Sequence, residues 1–205
     1  MWKIARVTPL YKSKDKLLVE NYRPIYVLPV LCKVLERVVH TQMSTYLDHL
    51  GLLYKHHYGF RRGRSTAQAV DNLKNFVLDG IYGQKVTGML FLDISKALDS
   101  INHKILLGKL EHIGLSARSL RWFKSYLADR RQCVCTNGKM SETRTIDLGV
   151  PQGSILGPLL FNVYINRLST AVTKSELIFY ADDAVLVVAA STSRELTDAL
   201  RQINS

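Results

Sequence analysis

The sequence predicts an α+β fold of one or at most two domains. Three observations predict it. The chain has 205 residues, 47% apolar and 22% charged, enough to bury a sizeable core and unlike a disordered composition. Segments with helical and with strand-like periodicity mix without a regular βαβ alternation. No apolar run approaches the roughly 18 residues of a membrane span.

The elements follow in order. The first 30 residues read as irregular, with Pro9, Pro24 and Pro29 as breakers. From Val30, apolar residues recur at helical spacing through Leu31, Val34, Leu35, Val38, Tyr46 and Leu47 to Leu50, and Gly51 is a suitable C′ residue. Ser65 or Thr66 can cap a second helix whose inner face would be Val70, Leu73, Phe76 and Val77. Residues 86–93, VTGMLFLD, read as a buried strand ending in an acid. Two helices near 102–113 and 116–128 are separated by Gly114, with Ser116 as a cap. Residues 132–146 read as a β-hairpin turning at Asn137-Gly138. A helix after Pro151-Gln152-Gly153 runs to about Ala171, with Pro158 near its start. Residues 177–181 and 184–189 form two apolar strands joined across Asp182-Asp183, and Thr192 with Glu195 is a capping box for a last helix.

Charge points to polyanionic partners. The chain carries a formal net charge of +11, of which residues 1–90 supply +8 from 14 basic and 6 acidic side chains. Three cysteines without a CxxC pair argue against a disulfide scaffold, and the first residues lack the apolar core of a signal peptide. An intracellular, reduced setting is the expectation. Cys133 and Cys135 would share one face of a strand and lack the second pair a structural zinc needs. His56-His57 has no carboxylate framework and suits loop packing. Gly153-Ser154-Ile155-Leu156-Gly157 is out of step with a nucleophile elbow, and no phosphate-binding GxxxxGK[ST] occurs.

The acids are the informative feature. Asp93 ends one apolar strand, and Asp182 and Asp183 sit between two others. A desolvated aspartate needs a partner or a cation. If residues 86–93 lie beside the 177–189 hairpin, the three carboxylates converge, and like charges at close range call for protonation or a divalent cation. Mg²⁺ suits such a site, and two ions together serve phosphoryl transfer. Read without context, Asp182-Asp183 could equally be a polar turn and Asp93 an N-cap.

Five segments, in order, resemble the reverse transcriptases of non-LTR, LINE-type and jockey-like retrotransposons. They are Asn21-Tyr22-Arg23-Pro24-Ile25; Tyr58-Gly59-Phe60-Arg61 through Gly63-Arg64-Ser65-Thr66; Phe91 to Asp99, similar to motif A; Gly149 to Pro158, similar to motif B; and Phe179-Tyr180-Ala181-Asp182-Asp183, similar to the YADD form of motif C. The resemblance implies a right-hand polymerase with fingers at 1–85 and an antiparallel palm sheet packed on helices at 86–205, residues of about 115–148 returning to the fingers. It implies that Asp93, Asp182 and Asp183 are catalytic and bind two Mg²⁺ ions, with Mn²⁺ as a substitute. It implies that Arg23 with Lys12 or Lys14 on the preceding strand binds the triphosphate, joined by the main-chain N–H groups of Ile94 and Ser95. Gln152 and Gly153 would line the nucleotide pocket. Arg61, Arg62 and Arg64 would contact the template backbone. The partners implied are an RNA template, a DNA primer and dNTPs, with no membrane, and the location is nuclear or cytoplasmic.

Two departures stand out. Leu98 occupies a place where the family usually has Phe, the gate against the ribose 2′-OH, so weaker exclusion of ribonucleotides is expected. The chain also stops in the helix after motif C, with no thumb, so the sequence reads as a fingers-and-palm fragment. The competing expectation is a catalytically inactive remnant that only binds nucleic acid.

Overall fold

The computed structural model describes residues 2–94, 96–171 and 175–203. The chain divides into two compact units, Met1–Leu50 with Leu98–Tyr164, and Gly51–Ala97 with Ile165–Ser205. Neither unit is one contiguous stretch of chain.

The first unit is built on a mixed sheet. β1 (Ile4–Tyr11) and β2 (Tyr22–Val27) form an antiparallel hairpin where the prolines suggest an irregular segment. The prolines do not break it, because Pro9 and Pro24 face each other across the ladder. Lys12 N–H donates to Asn21 C=O at 2.9 Å, and alternation from that pair makes Pro9–Pro24 a non-hydrogen-bonded one, where neither N–H is needed. β1 pairs in parallel with β4 (Arg130–Thr136), which turns through Asn137 (φ +49°) and Gly138 (φ +73°) into β5 (Lys139–Met140). Two successive positive φ values make the hairpin turn anticipated at Asn137-Gly138 a type I′ turn. β6 (Arg144–Ile146) also pairs with β4.

α1 spans Val30–His49 and ends as expected at Gly51, φ +60°. In its first half the faces are inverted relative to the apolar pattern, whereas Leu47 is buried as that pattern implies. Val30, Leu31, Val34, Leu35 and Val38 are exposed, while Cys32, Glu36, Met43 and Leu47 are buried. The buried stripe tolerates Glu36 because the carboxylate finds three donors there. α3 (His103–His112) and α4 (Ala117–Leu127) begin at Asn102 and Ser116, whose side chains accept from Ile105 N–H and Ser119 N–H. α5 (Gly157–Ile165) gives way to a 3₁₀ turn at Asn166–Ala171, so the helix anticipated to 171 ends early.

The second unit is a three-stranded antiparallel sheet, in the order β3 (Val86–Asp93), β8 (Asp183–Ala190), β7 (Glu176–Tyr180). α2 (Thr66–Tyr82) starts at a complete capping box, Ser65 with Gln68. It packs Leu73 and Phe76 against Tyr58, Ala69, Ile178 and Val187, whereas Val70, expected inside, is exposed. α6 (Ser193–Ile203) sets Leu196 against Gly88, where an added Cβ would stand 3.1 Å from its methyl carbons. β3 has its expected limits but is not buried: it is the sheet edge, with Met89, Phe91 and Leu92 exposed. No helix of the described residues is long and apolar enough to cross a membrane.

Candidate active site

β3 and β8 run antiparallel from Val86↔Ala190 to Asp93↔Asp183, so two of the three acids stand directly opposite each other at the end of the ladder. β7 and β8 close at Tyr180↔Asp183, which leaves Ala181 and Asp182 as the two central residues of a tight turn. Ala181 has φ +57°, the positive value that primed hairpin turns require at their first central position and that alanine adopts only under strain. Ile94 N–H donates to Asp182 C=O at 3.2 Å and ties the turn to the strand end beside it. That N–H is therefore committed within the protein, contrary to the expectation that it meets the triphosphate. Ser95 lies outside the described residues.

The turn is seated on the segment before α2. Residues 56–58 run alongside β7, with Phe179 N–H donating to His56 C=O at 2.9 Å and Tyr58 N–H to Phe179 C=O at 2.8 Å. The next residue, Gly59, lies against the turn itself. A Cβ on Gly59 would stand 1.9 Å from Ala181 N and 2.7 Å from its Cα. Only glycine permits that approach.

Asp93, Asp182 and Asp183 are exposed, and none forms an ion pair among the described residues. The desolvation cost anticipated for Asp93 does not arise, because a strand end at the sheet edge leaves its carboxylate in water. Among the described residues no three acidic, His or Cys side chains close on a common point. Like charges favour rotamers that separate them. What the backbone fixes is an all-oxygen donor set on one turn and one cross-strand pair, with no cation paired to it among the described residues. This is the chemistry of a hard divalent ion such as Mg²⁺, and the residues fit it.

The remaining candidates of the sequence analysis fall mostly in the first unit. Arg23 is exposed on β2, opposite Leu10. Lys12 and Lys14 are exposed but stand in the loop beyond β1 rather than on the strand, which ends at Tyr11. The register places Lys12 diagonal to Arg23 on one face. Leu98 is half-buried, and its C=O accepts from Val150 N–H at 2.8 Å. Gly153 has φ +73°, and a Cβ there would lie 2.7 Å from Tyr26 O. Gln152 donates from Nε2 to Asp99 Oδ2 at 2.6 Å. In the second unit the three arginines are not equivalent. Arg61 is turned inward, donating to Tyr54 C=O and His57 C=O, whereas Arg62 and Arg64 are exposed and Arg64 lies over the Tyr58 ring.

His56 and His57 pack within the second unit, but a carboxylate does reach the first of them, contrary to the expectation. His56 meets Glu176 at 2.5 Å and Asn72 at 2.8 Å. His57 is fully buried against Phe179, and neither ring nitrogen has a hydrogen-bond partner among the described residues. Burial first, and the Arg61 charge second, push its imidazole down to about 4. The unfolded chain takes up that proton near 6.5, so the unfolded state binds more protons between these values. Stability is therefore expected to be intact above pH 6.5 and to fall as pH drops towards 4, by roughly 3 kcal/mol from this group. Urea unfolding at pH 7.5 and 4.5 checks it. His57→Phe should flatten that part of the profile, and an unchanged slope would contradict the assignment.

Sequence reasoning missed Gly59, which seats the turn in the second unit, and Glu36, Asp99 and His103, which brace residues 149–155 in the first. Gly59 stood inside a quoted motif, but its reason is a neighbour 122 positions away in sequence. Glu36 had a readable signal, a lone acid on the Cys32, Met43, Leu47 stripe of a helix.

Comparison with known proteins shows the family. The family model described as reverse transcriptase (RNA-dependent DNA polymerase) matches residues 11–205. The chain is 32% identical over 209 residues to the probable RNA-directed DNA polymerase from transposon BS of Drosophila melanogaster, covering 98% of this chain and 23% of that protein. It is 32% identical over 200 residues to the RNA-directed DNA polymerase from mobile element jockey of Drosophila funebris, covering 94% and 22%. The chain thus spans less than a quarter of these relatives' length. Among solved structures, apo telomerase from Candida tropicalis truncated from its C-terminal domain superposes with a TM-score of 0.70 at 14% identity, over 100% of this chain and 47% of that one, a likeness of fold. Motifs, hairpin geometry and these matches together place the chain in the reverse transcriptase family, alongside the polymerases of non-LTR mobile elements.

Proposed function

We propose that the chain is the catalytic portion of an RNA-directed DNA polymerase, adding dNTPs to a primer 3′-OH on an RNA template. The observation that carries the reading is the register of β3 on β8, which sets Asp93 opposite Asp183 with Asp182 in the adjoining turn. These three would hold the divalent ions, two Mg²⁺ with Mn²⁺ as a substitute. When bound, such ions stabilise the attacking and leaving oxygens of phosphoryl transfer.

The protein's own groups do the rest. Ile94 N–H fixes Asp182 through its carbonyl, and Gly59 lets the turn sit down on the segment beneath it. Arg23, with Lys12 or Lys14 beside it, supplies fixed cations for the triphosphate, whose charge grows on its oxygens as the bond breaks. Gln152 and Gly153 line the nucleotide pocket. Arg62 and Arg64 contact the template backbone, with Arg61 holding their loop in shape. Leu98, shorter than the aromatic gate usual at this place, leaves ribonucleotides less strongly excluded.

Primer extension on poly(rA)/oligo(dT) with Mg²⁺, then Mn²⁺, tests the reading. Wild type is expected to extend the primer and Asp182→Ala to lose at least about 100-fold in rate. Run with rNTPs, the same assay should show Leu98→Phe incorporating a smaller share of ribonucleotide. Salt-sensitive duplex binding without any extension would instead leave a nucleic-acid-binding protein with no polymerase activity.

A further inference from the structure

Gln152 is not free to choose its orientation. Asp99 Oδ2 lies 2.6 Å from Gln152 Nε2. A carboxylate only accepts, so the amide must turn its NH₂ group to Asp99 and its carbonyl oxygen away, whichever way the amide is first drawn.

The backbone on both sides is clamped. Val150 N–H donates to Leu98 C=O and Gly149 N–H to Ile101 C=O, each at 2.8 Å, and His103 Nε2 lies 2.6 Å from Gly149 O. Gly149 has φ +82°, and a Cβ on it would come within 2.8 Å of Asp99 Cα. Asp99 is thus pressed against the segment leading into Gln152 and cannot drift from it. Asp99, Gln152, Tyr26 and His103 share the wall of one cavity of about 410 Å³. Burial, and then the Asp99 charge, raise the Tyr26 phenol, so the phenol stays a protonated donor within reach of the Asp99 charge.

We infer that Asp99 is a positioning residue. It holds Gln152 so that the amide presents an acceptor to the cavity, and the site thereby favours a nucleotide that offers a hydroxyl or amino hydrogen at that point. The inference rests on the polymerase reading for its substrate, but the Asp99–Gln152 pair does not.

The test uses the full chain with ¹⁵N-labelled glutamine and two readouts. In the first, the Gln152 side-chain amide should show one downfield, slowly exchanging proton that moves upfield and exchanges faster in Asp99→Asn, where the neutral oxygen accepts more weakly and the new NH₂ end competes to face Gln152. In the second, primer extension, Asp99→Asn should raise KM for dTTP about tenfold with kcat within about threefold. Gln152→Glu alone sets two carboxylates together, so it should be worse than the double variant Asp99→Asn with Gln152→Glu. In that double variant the amide introduced at position 99 donates, and the second oxygen of the introduced carboxylate again faces the cavity as an acceptor. Recovery in the double variant also separates positioning from misfolding, since a merely structural loss would not be mended by adding a second change.

An unchanged KM in Asp99→Asn, or an amide proton indifferent to that substitution, overturns the inference. If the wild type does not extend primers while the amide signature is present, the polymerase reading has failed and the pair is judged by dTTP titration of the same amide. A shift in wild type lost in Asp99→Asn sustains it, and no shift in either overturns it.

Discussion

Replacing Gly59 with alanine is expected to lower primer extension by at least about 100-fold, because the turn proposed to carry catalysis would be displaced by about 1 Å, enough for such a loss. The new methyl would sit 1.9 Å from Ala181 N and 2.9 Å from Tyr180 C, and both obstacles are backbone. No rotamer can relieve the overlap. Either residues 56–59 leave their hydrogen bonds with Phe179, or the turn that carries Asp182 moves. Overpacking of this kind costs about 1–3 kcal/mol as well. Gly108→Ala is the matched control. That glycine is helical, has nothing within 4 Å of an added Cβ, and should gain about 1 kcal/mol on becoming alanine. Primer extension and thermal unfolding of both variants settle the matter, and wild-type extension by Gly59→Ala would show that the turn does not depend on this contact.

The largest stability effect is expected at Glu36. Its carboxylate is fully buried in the first unit, and its oxygens are occupied. Oε1 accepts from Tyr126 Oη at 2.8 Å and Cys32 Sγ at 3.3 Å, and Oε2 accepts from Ile155 N–H at 2.7 Å. Burial and the Glu36 charge both raise the Tyr126 phenol, so it remains a donor at any working pH. Burial likewise pushes the Cys32 thiol up. Glu36→Ala strands all three donors and leaves a void, for a loss of about 3–5 kcal/mol. Glu36→Gln keeps the shape but turns an NH₂ towards at least one donor, for a smaller loss of about 1–3 kcal/mol. Urea unfolding measures both. A loss below about 1 kcal/mol in the alanine variant would mean that the network does not hold the helix to the segment after Gly153. Because Ile155 follows that glycine by two positions, the same variant should also weaken nucleotide binding.

Much of the secondary structure was legible because its causes are local. Ser65 marks the start of α2 as an N-cap, Asn137-Gly138 writes a hairpin turn, and the apolar run of 86–93 sets the limits of a strand. The hairpin of β1 and β2 was not legible in the same way. Proline reads as a breaker when taken alone, and nothing local says that Pro9 will meet Pro24 at a non-hydrogen-bonded pair. The same holds for the first half of α1, where the apolar periodicity marks Val30, Leu31, Val34, Leu35 and Val38, all of which are exposed. The face that is buried contains Glu36, and it is favourable only because Tyr126 and Ile155 arrive from elsewhere in the chain.

Five motifs in order were sufficient to identify the family without any coordinates, and with it Asp93, Asp182, Asp183 and Gln152 as the residues of interest. Spacing along a chain is enough for that, because each motif is a short run whose chemistry is carried by its own side chains. Which atoms meet was settled only by the folded arrangement. It set Asp93 opposite Asp183 rather than beside Asp182, committed the Ile94 N–H to a carbonyl, made Gly59 the seat of the turn, and oriented Gln152 through Asp99. These are contacts between residues from 53 to 122 positions apart. Their energies depend on distances of a few ångströms that no local pattern encodes.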